Sequence, residues 1–297
     1  MNKNLILGSL AGIGAAIIWG LWPVLTRSGV VSEFTPNEII IIRFLICGFL
    51  LLPLFIKNRC YKKVNVFKSL VITAGAGALY VYASASGLKY VPAGHLGIVG
   101  TGTMFTLSAI GAYFILGEKK NSWQIFGYIV VLGGMILVNL QNLLISFDMT
   151  ILYGDSLLAL GGALWATYTI CIKKWKISSW DAVSIVGVYS LIIFVPAIFI
   201  FDYDNINLLS KPIYDLSIQA VGQGVLAAIV ALYLFSILVD FLGASKGSIF
   251  GAFVPTVAIV GGLIYLGEIP TMLEIIGLAF TTVGMLLILI NKKRTTK

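Results

Sequence analysis

The chain has 297 residues, of which 59% are hydrophobic and 11% charged, with a mean hydropathy of +1.00 and a formal net charge of +8. That leaves too little polar surface to cover a soluble globule of this length, so the composition excludes a soluble enzyme or binding module and puts the chain in a bilayer. A span takes about 20 apolar residues to cross roughly 30 Å of hydrocarbon, so ten spans use about two thirds of the length and leave only short loops.

Polar and charged breaks divide the sequence into ten apolar segments, at 5–27, 37–56, 67–88, 92–117, 122–141, 153–173, 180–201, 216–241, 245–267 and 271–291. The first follows Lys3 and continues through Trp19, Trp22 and Pro23 without a cleavage site, so it reads as a span rather than a signal peptide. With the N-terminus placed in the cytoplasm, sixteen lysines and arginines fall on the inner side and three, Arg27, Lys89 and Lys211, on the outer, while Arg43 lies within span two. That bias orients both termini inward. The excess of positive charge is thus a topology signal, and no nucleic-acid partner is expected. Cys47, Cys60 and Cys171 have no C-x-x-C spacing and fall in no outer loop, so no disulfide is predicted. A single histidine excludes HExxH and His-rich metal motifs, and no metal or cofactor is expected.

One stretch occurs twice. Thr106 to Glu118 reads TLSAIGAYFILGE and Thr256 to Glu268 reads TVAIVGGLIYLGE, an offset of 150. Carried on to Leu137 and Leu287, ten of thirty-two positions are identical, among them Gly127 with Gly277 and Gly134-Met135 with Gly284-Met285. In the same way IIWGLWP from Ile17 resembles ALWATYT from Ala163, with Trp19 matching Trp165 at an offset of 146. The chain is therefore read as a duplication, 1–142 and 143–297. Five spans per half is an odd number, so the second copy crosses the membrane inverted, as in many secondary transporters. The longer acidic loop holding Asp202, Asp204 and Asp215 accommodates the inserted residues on the outside.

With a tryptophan-containing first span (Trp19, Gly20, Pro23), a span-two arginine (Arg43) and an LGE closing spans four and nine, the sequence resembles the drug/metabolite transporter superfamily, in its ten-span branch of two EamA-type repeats. The resemblance covers nearly the whole chain and implies an all-α membrane protein. Spans one to four and six to nine would surround a central cavity, with five and ten to the side. It also implies secondary transport, in many members export of amino acids, drugs or other metabolites.

Candidate residues follow from helical spacing. Gly12, Ala15, Trp19, Trp22 and Thr26 share a stripe on span one, and Gly161, Trp165, Tyr168 and Ile172 repeat it on span six. These indoles either wall a cavity or pack between helices. Arg43 either binds a substrate carboxylate or serves a structural or gating role, since a cation in hydrocarbon faces protein or water. Span three offers Tyr80 and Ser84 on one stripe and Tyr82 on an adjacent one, span four Thr101, and span eight Gln223 and Tyr233, although hydroxyls also bond their own backbone. Pro92, Gly247 and Pro255 are candidate hinges, and His95 is placed at the outer mouth rather than in a proton relay. All twelve acidic residues lie in loops or near segment ends, so facilitated or exchange transport is expected rather than proton coupling. No G-x-x-x-x-G-K-[ST] loop exists for ATP. The reading is a non-enzymatic inner-membrane carrier of a zwitterionic or weakly polar metabolite, in contact with membrane lipid, monomeric or homodimeric, working by alternating access. The alternative is a polytopic enzyme acting on lipid, for which no paired acids, His–Asp set or metal ligands are apparent.

Overall fold

A computed structural model describes residues 3–32, 34–141, 147–242 and 249–289. Gly247, one of the candidate hinges, lies outside the described residues. Ten apolar helices account for most of the rest and no strand is present among the described residues. They are α1 (Lys3–Ser32), α2 (Pro36–Lys57), α3 (Val66–Gly87), α4 (Ala93–Leu116), α5 (Ser122–Gln141), α6 (Met149–Lys174), α7 (Ser179–Phe201), α8 (Ile213–Leu242), α9 (Ile249–Leu266) and α10 (Met272–Ile288). Among the described residues nine are long and apolar enough to cross a membrane, and the described part of α10 is shorter. Each matches one predicted segment. Lys57, Arg59, Lys62, Lys63, Lys119, Lys120, Lys173 and Lys174 lie between or beside helix ends on one side, here the basic face; Arg27, Lys89 and Lys211 lie on the other, the far face.

Several helices depart from α geometry where the interior needs it. Gly77 interrupts α3 at φ −94° and ψ −140°, where an added Cβ would come within 2.4 Å of both Ser190 Oγ and Thr73 O. Stretches of π-helix occupy Leu96–Gly100 in α4, Ser190–Phe194 in α7, Ala220–Val230 in α8 and Gly262–Leu266 in α9. Such irregular backbone survives at membrane depth only where other protein or a cavity surrounds it. Pro255 sits in the first turn of the regular part of α9, Val254–Gly261, where its missing N–H costs nothing.

The two halves meet about an internal two-fold. Helices α5 and α10 run antiparallel with Gly127 against Gly284 and Gly134 against Gly277, so close that a Cβ on either Gly127 or Gly134 would stand 2.7 Å from the facing glycine's carbonyl oxygen. Exchanging each helix with the one five later leaves the packing unchanged: α1 lies on α8 and α9 as α6 lies on α3 and α4, while α2 meets α7 and α4 meets α9.

The repeated LGE is a helix terminator with an ion pair attached. Gly117 and Gly267 adopt φ +69° and +68°, a left-handed conformation that glycine accepts without steric cost, and the following Glu118 and Glu268 N–H groups donate back to Ala112 O and Gly262 O. The carboxylates then fasten equivalent neighbours. Glu118 accepts from Lys173 at the end of α6, and Glu268 from Arg27 at the end of α1. A second such pair holds the loops: Glu38, at the start of α2, accepts from Asn207 N–H at 2.7 Å in the α7–α8 loop, and Asp181, at the start of α7, accepts from Asn58 Nδ2 at 2.7 Å in the α2–α3 loop. The largest buried cluster spans α2, α3, α6 and α7, and large apolar side chains such as Phe114, Ile200 and Ile264 cover the outer surface, as lipid contact requires.

Candidate functional site

Between the halves lies a cavity of about 490 Å³. Its lining reaches Ile172, Ser179 and Gly251 at the basic face and ends at Trp22, Ser84 and Leu158 short of the far face. Trp19 and Trp22 come from α1, Arg43 and Cys47 from α2, Tyr80 and Ser84 from α3, Thr101 from α4, and Trp165 and Tyr168 from α6. The break at Gly77 and the close approach of Gly161 to Ser84 bring α3 and α6 near enough for their rings to join. Trp22 stacks on Tyr80 at 5.5 Å, Tyr80 meets Trp165 at 4.8 Å and Trp165 meets Tyr168 at 5.5 Å, which makes one aromatic wall running from the closed end toward the open one. Trp19 packs on Phe235 and donates from Nε1 to Ala227 O at 3.3 Å, a carbonyl of the α8 π stretch.

Behind this wall a polar relay holds the deep end. Trp22 Nε1 donates to Gln223 Oε1 at 2.6 Å, Gln223 Nε2 donates to Thr26 Oγ1 at 3.0 Å and to Gln219 Oε1 at 3.2 Å, and Gln219 Nε2 donates to Leu25 O at 2.9 Å. Gln223 is fully buried, so these partners replace the water it lacks. Arg43 Nη1 also reaches Gln223 Oε1, at 3.4 Å, and its Cζ lies 5.6 Å from the Trp22 ring.

The model of the EamA-like transporter family matches this chain twice, over residues 6–140 and 152–290. The chain belongs to the EamA-like transporter family, within the drug/metabolite transporter superfamily. Among curated relatives of this EamA-like chain, the proteins named "Uncharacterized inner membrane transporter YhbE" from Escherichia coli K12, Escherichia coli O157:H7 and Shigella flexneri are 25% identical over 190 residues. The match takes in 58% of this chain and spans 56% of the length of each relative. A solved crystal structure aligns over 94% of this chain and 95% of its own with a TM-score of 0.60 at 15% identity, a likeness of fold alone.

Of the residues singled out in this EamA-like sequence, Trp19, Trp22, Arg43, Tyr80, Ser84, Thr101, Trp165 and Tyr168 line the one cavity, and Gln223 stands directly behind it. Tyr82 and Tyr233 do not line it; they are 47% and 54% exposed. Tyr82 is two residues from Tyr80 and therefore points across the helix from it. Tyr233 lies beyond the π stretch of α8, whose turns take up more residues than α turns, and comes out on a face turned away from the cavity.

The far face is closed by a cluster that local sequence does not announce. His95 lies between two carboxylates, with Nδ1 2.9 Å from Asp155 Oδ1 and Nε2 2.8 Å from Glu274 Oε1. Next to it Glu268 accepts the Ala93 N–H at 2.9 Å as well as Arg27, whose Nη1 donates to Leu88 O at 2.5 Å. Pro92 and His95 border a small pocket of about 160 Å³ beside Glu268 and Glu274. Asp155 thus belongs to this closure and not to the cavity lining. His95 has no carboxylate near it in sequence, yet its two partners stand 60 and 179 positions away.

Proposed function

We propose that this EamA-like transporter is a secondary carrier that moves a small zwitterionic or weakly polar metabolite, such as an amino acid, by alternating access of its inverted repeats. The observation that carries the reading is the 490 Å³ aromatic cavity, within the size range of small-ligand sites, reaching the basic face while the far face is tied shut. Two halves with interchangeable packing supply a second state of similar energy, in which the far face is open and the basic face closed. The bias of lysine and arginine makes the basic face cytoplasmic, so the cavity is in its cytoplasm-facing state, ready to load for export. An inner-membrane location agrees with that of the YhbE relatives. Among the described residues no acidic residue and no histidine lines the cavity, which supports facilitated or exchange transport.

The test is counterflow in liposomes reconstituted with the purified chain, screening amino acids and nucleobases with and without a pH gradient. A substrate should exchange without the gradient, and Trp165→Ala, which removes ring contacts with Tyr80 and Tyr168, should slow it by about tenfold. Flux indifferent to Trp165→Ala would move the site elsewhere, and flux that needs the gradient would overturn the facilitator reading.

A further inference from the structure

Among the described residues Arg43 is the one arginine or lysine lining the cavity, and no aspartate or glutamate lines it. Every other buried charged residue among those described has an opposite charge at hand: Glu38 has Lys211 at 3.9 Å, Asp181 has Lys63 at 3.3 Å, and His95 has Asp155 and Glu274. Arg43, 8% exposed, has none. One long hydrogen bond to a neutral amide engages Nη1, and Nε is buried without any partner. The rings of Trp22 and Phe44, 5.6 and 5.9 Å from Cζ, offer their faces to the cation but cancel no charge. A guanidinium held in a low-dielectric interior with open donors and no counter-ion is costly, and the cost is relieved by an anion that accepts from it.

We propose that the transported molecule supplies that anion: it carries a carboxylate that docks on Arg43 and an apolar, preferably aromatic, body that lies along Trp22, Tyr80 and Trp165. This rests on the reading of the cavity as the transport site. The planar fork of the guanidinium suits a carboxylate, whose charge-assisted bonds are about twice as strong as those an amide would make. A ligand that is cationic and lacks an acid group meets a like charge at the deep end and finds no carboxylate on the walls.

Three phenyl-bearing probes separate the possibilities: phenylacetate, its isostere phenylacetamide, and the cation phenethylamine, titrated into the purified chain while the cavity tryptophans report by fluorescence. Phenylacetate should bind at least about tenfold more tightly than either of the others, as expected of a bond to a charged partner worth about 1.5 kcal/mol or more. Arg43→Gln should abolish the preference. Gln223→Glu keeps the acceptor used by Trp22 and Arg43 and gives the guanidinium an internal counter-charge, at the loss of the two bonds donated by Gln223 Nε2, so it too should abolish the preference. Equal binding of phenylacetate and phenylacetamide by the unaltered chain overturns the carboxylate anchor and leaves the cavity reading standing, as does a preference that survives Gln223→Glu. Binding of none of the three overturns both.

Discussion

His95 touches three helices at once, and its bonding pattern fixes what its removal does. A carboxylate accepts and does not donate, so Asp155 and Glu274 are both satisfied only when the ring donates from both nitrogens. His95→Ala would leave two carboxylates facing each other in a nearly dry site. It should lower stability by about 3–5 kcal/mol, read by thermal unfolding in detergent, with His95→Gln losing less because one donor remains. At the basic face, burial and the neighbouring Asp181 carboxylate push the Cys60 thiol up to about 11. Cys60 should therefore resist maleimide at neutral pH in the folded chain and react fully after denaturation, as followed by mass spectrometry. The two residues differ in how readable they are. The stripe Trp19, Trp22 and the stripe Trp165, Tyr168 follow from spacing along single helices, which is why the aromatic wall can be drawn from sequence. The partners of His95 come from α6 and α10, and nothing in the spacing of α4 points to them.

At the level of helices, the α5–α10 crossing depends on the absence of side chains. Gly284→Leu would drive a Cβ into Gly127 O and Val131, each 2.7 Å from it, and should cost about 1–3 kcal/mol or more by forcing the pair apart, measurable as a lowered Tm. Glu118 offers a pH test of the α4–α6 fastening. The hydrogen bond from Lys173, aided by Lys120, holds its carboxyl below the usual carboxylate range against the opposing effect of burial. A depressed carboxyl stabilises the folded chain at all pH values above its unfolded pKa. The contribution fades as acid protonates it, so hydrogen exchange at the adjoining ends of α4 and α6 should rise only below about pH 4. Glu118–Lys173 and Arg27–Glu268 are both formed in this conformation, fastening α4 to α6 at the open face and α1 to α9 at the closed one, so neither pair by itself decides which face is shut. Their equivalence is visible in the doubled LGE and in the offsets of 150 and 146. Hidden from sequence are the π stretches, one of which resets the helical phase between Gln223 and Tyr233.

For the molecule as a whole, the accessible side of the cavity is a direct prediction. In a chain whose three native cysteines are replaced by serine, Thr169→Cys and Ser179→Cys should react with a membrane-impermeant maleimide offered to the basic face, while Thr26→Cys and Gln219→Cys, buried at the far end, should not. Reaction of all four from one side would mean that the far closure does not hold. The inverted duplication, and with it this two-faced plan, follows from an odd number of spans per repeat. Which face is shut does not, because that depends on side chains in which the halves differ. At the positions equivalent to Asp155 and Glu274 the other half carries Ser9 and Gln124, and Gln124 offers only a neutral amide to Ile288 O. At these two positions the far end is thus held by carboxylates and its counterpart is not, so the closure at the far face is a property of one half and not of the shared repeat.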